Sequence, residues 1–169
     1  MKDIANTPLV SIICSTYNHG LYISQCLDGF LMQKTNFPFE ILIHDDASTD
    51  NTPDIIREYE HNQPQVIRPI YQKENKYSKK EDIFAKYQCS RVRGKYIAIC
   101  EGDDYWIDPL KLQKQIDFLE NNPDYGMIYT TSKVYNQKEG KIEEDIIGRE
   151  FNGYIAVSYT HLTLPTIRL

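Results

Sequence analysis

The chain has 169 residues, 41% of them hydrophobic, and a formal net charge of -5. That is the size and apolar fraction of one domain with a real core. The weakly acidic balance excludes a nucleic-acid partner, which demands a basic face, so any anionic ligand must be held locally. No apolar run approaches the ~20 residues that cross a bilayer, and Met1 to Pro8 lack a signal-peptide pattern. The expectation is a cytoplasmic protein, free or peripheral to a membrane, with no transmembrane segment. Cys14, Cys26, Cys89 and Cys100 show no CxxC spacing and read as reduced core thiols.

Leu9 to Cys14 is a short, nearly continuous apolar run, which predicts a strand buried on both faces. Tyr22, Ile23, Cys26, Leu27, Phe30 and Leu31 then recur at the spacing of one helix face. Phe39 to Ile43 is the second strand. Thr52-Pro53-Asp54 starts a helix, with Thr52 as cap, Pro53 at the first helical position and Asp54 complementing the dipole. Val66 to Tyr71 is a weaker strand that Pro69 demotes toward an edge. A further helix is expected over Asp82 to Arg91, then a strand over Tyr96 to Cys100. Asp108-Pro109 repeats the helix-start signal, Leu112, Ile116 and Leu119 form the stripe, and Asn121-Asn122-Pro123 is the stop. Met127 to Thr131 is a fifth strand, and Lys138 to Glu144 an exposed charged turn.

Strands alternating with helices indicate an α/β fold with a mainly parallel, Rossmann-like sheet. In such sheets ligands bind outside the carboxyl ends of the strands. The three best strands end in Ser15-Thr16-Tyr17-Asn18, His44-Asp45-Asp46 and Glu101-Gly102-Asp103-Asp104, which should meet at one rim. Carboxylates gathered there repel one another unless something positive compensates, and a hard divalent cation bound by oxygen, Mg²⁺ or Mn²⁺, is the usual solution. Such ions keep positions open for substrate phosphates, which makes a nucleoside diphosphate the natural further ligand. Gly102 between the acids permits close approach.

PLVSIICSTYNHGLYISQCLDGFLMQ, FEILIHDDASTDNT and GKYIAICEGDDYWIDPLKLQKQIDFLENNPDY together resemble a family 2 glycosyltransferase of the GT-A fold, over about Pro8 to Tyr129. The resemblance implies that Thr16, Tyr17 and Asn18 hold the nucleotide base and ribose, and that one of Asp45 and Asp46 contacts the base. It implies that Glu101, Gly102, Asp103 and Asp104 match the acidic DxD metal motif. Asp103 is then the first candidate for direct metal contact, Asp104 completes the metal pair, and Glu101 serves ribose or a metal-bound water. Ala47 stands where the family usually has glycine. The implied reaction is displacement, with inversion, at the anomeric carbon of a nucleotide-diphosphate sugar, a UDP-sugar above all, by a hydroxyl of a glycan or lipid-linked acceptor.

Blander readings stand beside these. Asp45 to Asp50 has the composition of a turn and helix cap. The basic run from Lys73 to Lys95 reads as a solvated face from which Lys79 or Arg91 could reach a diphosphate. Trp106 reads as a core anchor, and His19 and His44, lacking a second ligand at metal spacing, as structural. A nucleotidyltransferase is the runner-up, but Ser15 to Gly20 lacks the glycine-rich basic phosphate loop it opens with. A non-catalytic nucleotide-binding module is the other alternative.

Val157 to Leu162 (VSYTHL) resembles one reading frame of a sequencing-library adapter, so residues 156–169 are expected to be a foreign tail and residues 1–155 an incomplete nucleotide-binding domain. No acidic residue after Tyr129 matches the family's general base. The expectation is donor binding without transfer, with a tail that is mobile or loosely packed.

Overall fold

The computed structural model describes residues 7–128, 130, 133–136, 139–144 and 166–168. Residues 156–165, most of the expected foreign tail, lie outside the described residues, as do Tyr129 and Thr131 of the fifth predicted strand.

Four strands run parallel: β1 (Val10–Thr16), β2 (Phe39–Asp45), β3 (Ile67–Tyr71) and β4 (Tyr96–Ile99). With β5 (Met127–Ile128) and β8 (Thr166–Arg168) they make a six-stranded sheet in the order β3-β2-β1-β4-β8-β5. β6 (Lys133–Asn136) and β7 (Lys141–Glu144) form a separate antiparallel pair. The charged turn expected over Lys138 to Glu144 is thus partly strand. β3 lies at the sheet edge, where Pro69 needs no ladder donor on its outer side.

Ile12 and Ile13 of β1 are both buried, as are Ile41, Leu42 and Ile43 of β2, so the continuous apolar runs do mark strands covered on both faces. Helix α1 (Ile23–Leu31) packs Ile23, Cys26, Leu27 and Phe30 into the core, and α3 (Lys111–Asn121) adds Leu112, Ile116 and Leu119. Each such side chain contributes about 1.5–3 kcal/mol on burial. Trp106 is buried edge-on to Phe30, with ring centroids 4.8 Å apart, as a core anchor. The Lys111 ammonium lies 4.2 Å from its ring centroid. Gly29 of α1 meets the Trp106 backbone so closely that a Cβ there would lie 2.9 Å from its N and O. Cys14, Cys26 and Cys100 are free buried thiols as expected, whereas Cys89 is only half-buried.

Toward the amino ends of the strands, the buried Glu40 carboxylate accepts from Ser11 Oγ (2.7 Å), Arg93 Nε (2.8 Å) and Arg68 Nη1 (2.9 Å). Burial pushes its pKa up, but these hydrogen bonds outweigh that and hold it below its usual value. The network tightens the end of the sheet opposite the acidic rim.

Three boundaries differ from the sequence reading. Helix α2 (Thr52–Asn62) takes Thr52 as its first residue, with Asp50 Oδ1 accepting from both Thr52 N (2.9 Å) and Oγ1 (2.6 Å). α3 begins two residues after Pro109, because the Asp108 carboxylate accepts from Leu110 N at 2.9 Å and closes a turn first. In place of a regular helix over Asp82 to Arg91 there is a wide five-residue turn of helix, Phe84–Gln88, followed by a tight one, Cys89–Arg91. The break turns Gln88 inward, where its amide donates to Cys14 O at 3.0 Å. Satisfying a core carbonyl there outweighs regular helix geometry.

Candidate functional site

The register of the parallel strands carries the three polar clusters to one rim. Ser15 and Thr16 pair with His44 and Asp45, and beyond β4 Cys100 N donates to Ile13 O (3.0 Å) and Gly102 N to Ser15 O (2.9 Å). On the other side Asp46 N donates to Thr16 O at 2.9 Å. The end of β1 therefore lies between the paired acids of β2 and the acidic turn after β4.

The loops after β1 and β2 are stapled together. Asn18 N donates to Ser48 Oγ (2.8 Å), Asn18 Oδ1 accepts from Thr49 N (2.7 Å), and Gly20 N donates to Asp50 Oδ2 (2.9 Å). Asn18 holds φ of 56°, a conformation asparagine tolerates better than most residues. Ala47 holds φ of 65°, which a Cβ makes costly and a glycine would not. Tyr17 and Asn18 remain exposed, whereas Thr16 is buried with its hydroxyl against Gly102.

The two acids of β2 part company. Asp46, 3% exposed, has both oxygens engaged: Oδ1 by Lys76 N (2.7 Å) and by His44 Nε2 (3.3 Å), Oδ2 by Tyr77 N (2.9 Å). It anchors the turn that follows β3. Asp45 gives one oxygen to Ser48 N (3.3 Å), and its buried Oδ1 has no hydrogen-bond partner among the described residues. Burial pushes the Asp45 carboxyl up. Of the pair, only Asp45 has an acceptor to spare.

After β4, Asp104 N donates to Glu101 O at 3.1 Å and closes a tight turn around Gly102. A Cβ on Gly102 would lie 2.6 Å from Thr16 Oγ1 and 3.0 Å from His19 Nδ1, so no other residue fits without displacing them. Glu101 keeps exposed surface, yet loss of solvation, then Asp103 and Asp104, push its carboxyl up to about 7. Repulsion among acids gathered without a cation thus adds to the effect of burial. The Asp103 side chain is 53% exposed, open to a ligand.

Two cations of the sequence reading face elsewhere. Arg91 donates to Ile43 O (3.3 Å) and to Arg68 O, and Lys79 pairs with Glu74 (2.5 Å). His19, read as structural, instead lies with Nε2 3.9 Å from Asp103 Oδ2. Its signal was invisible in the sequence because its partner is 84 positions away. His44 does hold a structural place, on Asp46.

A parallel sheet flanked by helices, with loops and acids converging at the carboxyl ends of its strands, defines an α/β protein of the GT-A class. The chain belongs to glycosyl transferase family 2, whose sequence model matches residues 11–163. It is 43% identical over 137 residues to an uncharacterised protein of Mycobacterium tuberculosis, covering 80% of this chain and 38% of that one. It is 33% identical over 131 residues to the Escherichia coli UDP-Glc:alpha-D-GlcNAc-diphosphoundecaprenol beta-1,3-glucosyltransferase WfaP, covering 78% of this chain and 48% of that one. Among solved structures it resembles Staphylococcus aureus TarS 1-349 in complex with UDP, with a TM-score of 0.57, 25% identity and coverage of 68% and 32%. The chain thus spans less than half the length of these relatives. No described helix is long and apolar enough to cross a membrane.

Proposed function

We propose that this chain carries the donor site of a divalent-metal-dependent, inverting glycosyltransferase that takes a nucleotide-diphosphate sugar, a UDP-sugar, and passes the sugar to a hydroxyl of a glycan or lipid-linked acceptor. The observation that carries the reading is the acidic turn Glu101 to Asp104, packed through Gly102 against the end of β1. The WfaP name and the UDP complex of TarS favour a uridine nucleotide.

The donor set fits Mn²⁺ or Mg²⁺: hard carboxylate oxygens, with Asp103 open to solvent. No cluster of three ligating side chains occurs among the described residues, so Asp103 and Asp104 would hold the ion in part and a diphosphate and waters would complete it. The ion, when bound, neutralises charge on the departing diphosphate. Around it, Tyr17 and Asn18 offer an exposed face to base and ribose, Asp45 offers a spare acceptor, and Asp46 keeps the neighbouring turn in place. A cytoplasmic location, free or peripheral to a membrane, belongs to the same proposal.

Calorimetry of UDP binding with Mn²⁺, with Mg²⁺ and with chelator tests the reading. Tighter binding with either cation is expected. Equal affinity in all three conditions would sink the metal assignment.

A further inference from the structure

Two buried polar atoms beside the acidic turn lack hydrogen-bond partners among the described residues: Thr16 Oγ1 and His19 Nδ1. Both point at the same place, since they are the side-chain atoms that a Cβ on Gly102 would strike. Two such groups left unpaired in one spot are costly, and a shift of the Thr16 side chain toward the ring would let one satisfy the other. The backbone at His19 is held at the start of α1. Its carbonyl accepts from Tyr22 N and Ile23 N (2.9 Å each), and the His19 ring makes a T-shaped contact with that of Tyr22. The opposite ring nitrogen, Nε2, faces Asp103 Oδ2 at 3.9 Å.

We propose that Thr16 and His19 form a relay that orients Asp103: the Thr16 hydroxyl donates to His19 Nδ1, which leaves the proton on Nε2, and Nε2–H is presented to the Asp103 carboxylate. The inference rests on the donor-site reading and deepens it. His19 is a positioning residue. A neutral imidazole with its proton on Nε2 has no lone pair there for a metal, so it acts on the carboxylate and not on the ion. The 3.9 Å gap is longer than a hydrogen bond and closes with a small turn of the Asp103 side chain, which is free to move at 53% exposure. Partners that hold a ligating carboxylate in this way typically change metal affinity by about 10- to 100-fold when removed. Gly102 is what allows the relay, because any side chain at that position would occupy the space where its two members meet.

Two measurements test this. In the metal-free chain at neutral pH, imidazole ¹⁵N shifts should report His19 protonated on Nε2 with Nδ1 accepting a hydrogen bond; the opposite tautomer overturns the relay whatever the chain binds. Titration of Mn²⁺ onto the UDP-saturated chain should then show affinity about 10-fold weaker in His19→Ala, partly recovered in His19→Gln, which keeps an N–H donor. UDP affinity in chelator should not move in either variant. Thr16→Val should lower Mn²⁺ affinity in the same direction, and the double variant should lose less than the two single losses together. Equal Mn²⁺ affinities in wild type and His19→Ala, additive losses, or direct ¹⁴N coupling to bound Mn²⁺ would overturn the relay while leaving the donor-site reading intact. A wild-type chain without metal-dependent UDP affinity would overturn both, even with the tautomer as stated.

Discussion

Asp46 and Lys76 are joined by a 2.7 Å hydrogen bond from backbone N–H to carboxylate, and the other Asp46 oxygen takes the next amide, that of Tyr77. A buried carboxylate with two amides and a histidine on it is committed to holding a turn. Asp46→Ala should therefore destabilise the chain by about 3 kcal/mol, since it strands two amide donors. Hydrogen exchange at Lys76 and Tyr77 should accelerate. Denaturant unfolding within 0.5 kcal/mol of wild type would show that the turn holds without it.

Asp45 should respond in the opposite way. Its spare oxygen makes no hydrogen bond in the free chain, so Asp45→Asn should leave stability nearly unchanged and weaken UDP binding by about 10-fold, as expected for loss of one charge-assisted hydrogen bond. Unchanged UDP affinity by calorimetry would count against Asp45 as a nucleotide contact.

Asp103→Asn should keep the fold, because the side chain is largely in solvent, and should abolish most of the gain in UDP affinity that Mn²⁺ confers. The pair of measurements is a melting curve and a titration. A variant that unfolds would make Asp103 structural.

Ala47 carries a left-handed backbone angle that costs a residue with a Cβ roughly 1–2 kcal/mol. Ala47→Gly removes that strain but adds freedom to the unfolded chain, so a net gain of about 0.5–1 kcal/mol is expected. Chemical denaturation would read it directly, and a loss of stability would contradict the strain.

Burial pushes the Lys111 ammonium down to about 8 from the usual 10.5. Between those values the folded chain binds fewer protons than the unfolded one, so stability should rise as pH climbs from 8 toward 10.5. Below pH 8 the folded chain carries the full cost of a buried charge, about 3 kcal/mol. The Trp106 face and Gln115 Oε1 (2.8 Å) are the contacts that act against that cost. Lys111→Met should gain about 1–2 kcal/mol at pH 7 and lose the alkaline rise. A destabilised variant at pH 7 would show that the cation–π and amide contacts outweigh desolvation.

Much of the fold was legible because burial on both faces writes itself as uninterrupted apolar runs, as in Ile12-Ile13 and Ile41-Leu42-Ile43. The rim was legible for a related reason: polar residues right after such runs have only the strand ends to occupy. What stayed hidden depends on partners distant in the chain. Asp45 and Asp46 are chemically identical in sequence, and only the turn at Lys76 and Tyr77 separates their roles. The break at Phe84–Gln88 follows from a carbonyl of β1, and the place of His19 from the packing of Gly102 on β1. Arg91 looked available for a phosphate until the carbonyls of Ile43 and Arg68 were seen to take it.

Thr166–Arg168 form a strand antiparallel to both β4 and β5, within the segment that the sequence reading set apart. In kinetic terms, this pairing closes a loop of roughly 70 residues and the pairing of β1 with β4 one of roughly 86, both slow, high-contact-order steps compared with joining β1, β2 and β3. Whenever β4 joins β1 before β8 arrives, one side of β4 is left unpaired. A bare strand edge of that kind accepts a strand from any neighbour. Refolding should consequently become less efficient as protein concentration rises, with β4 as the place where separate molecules meet.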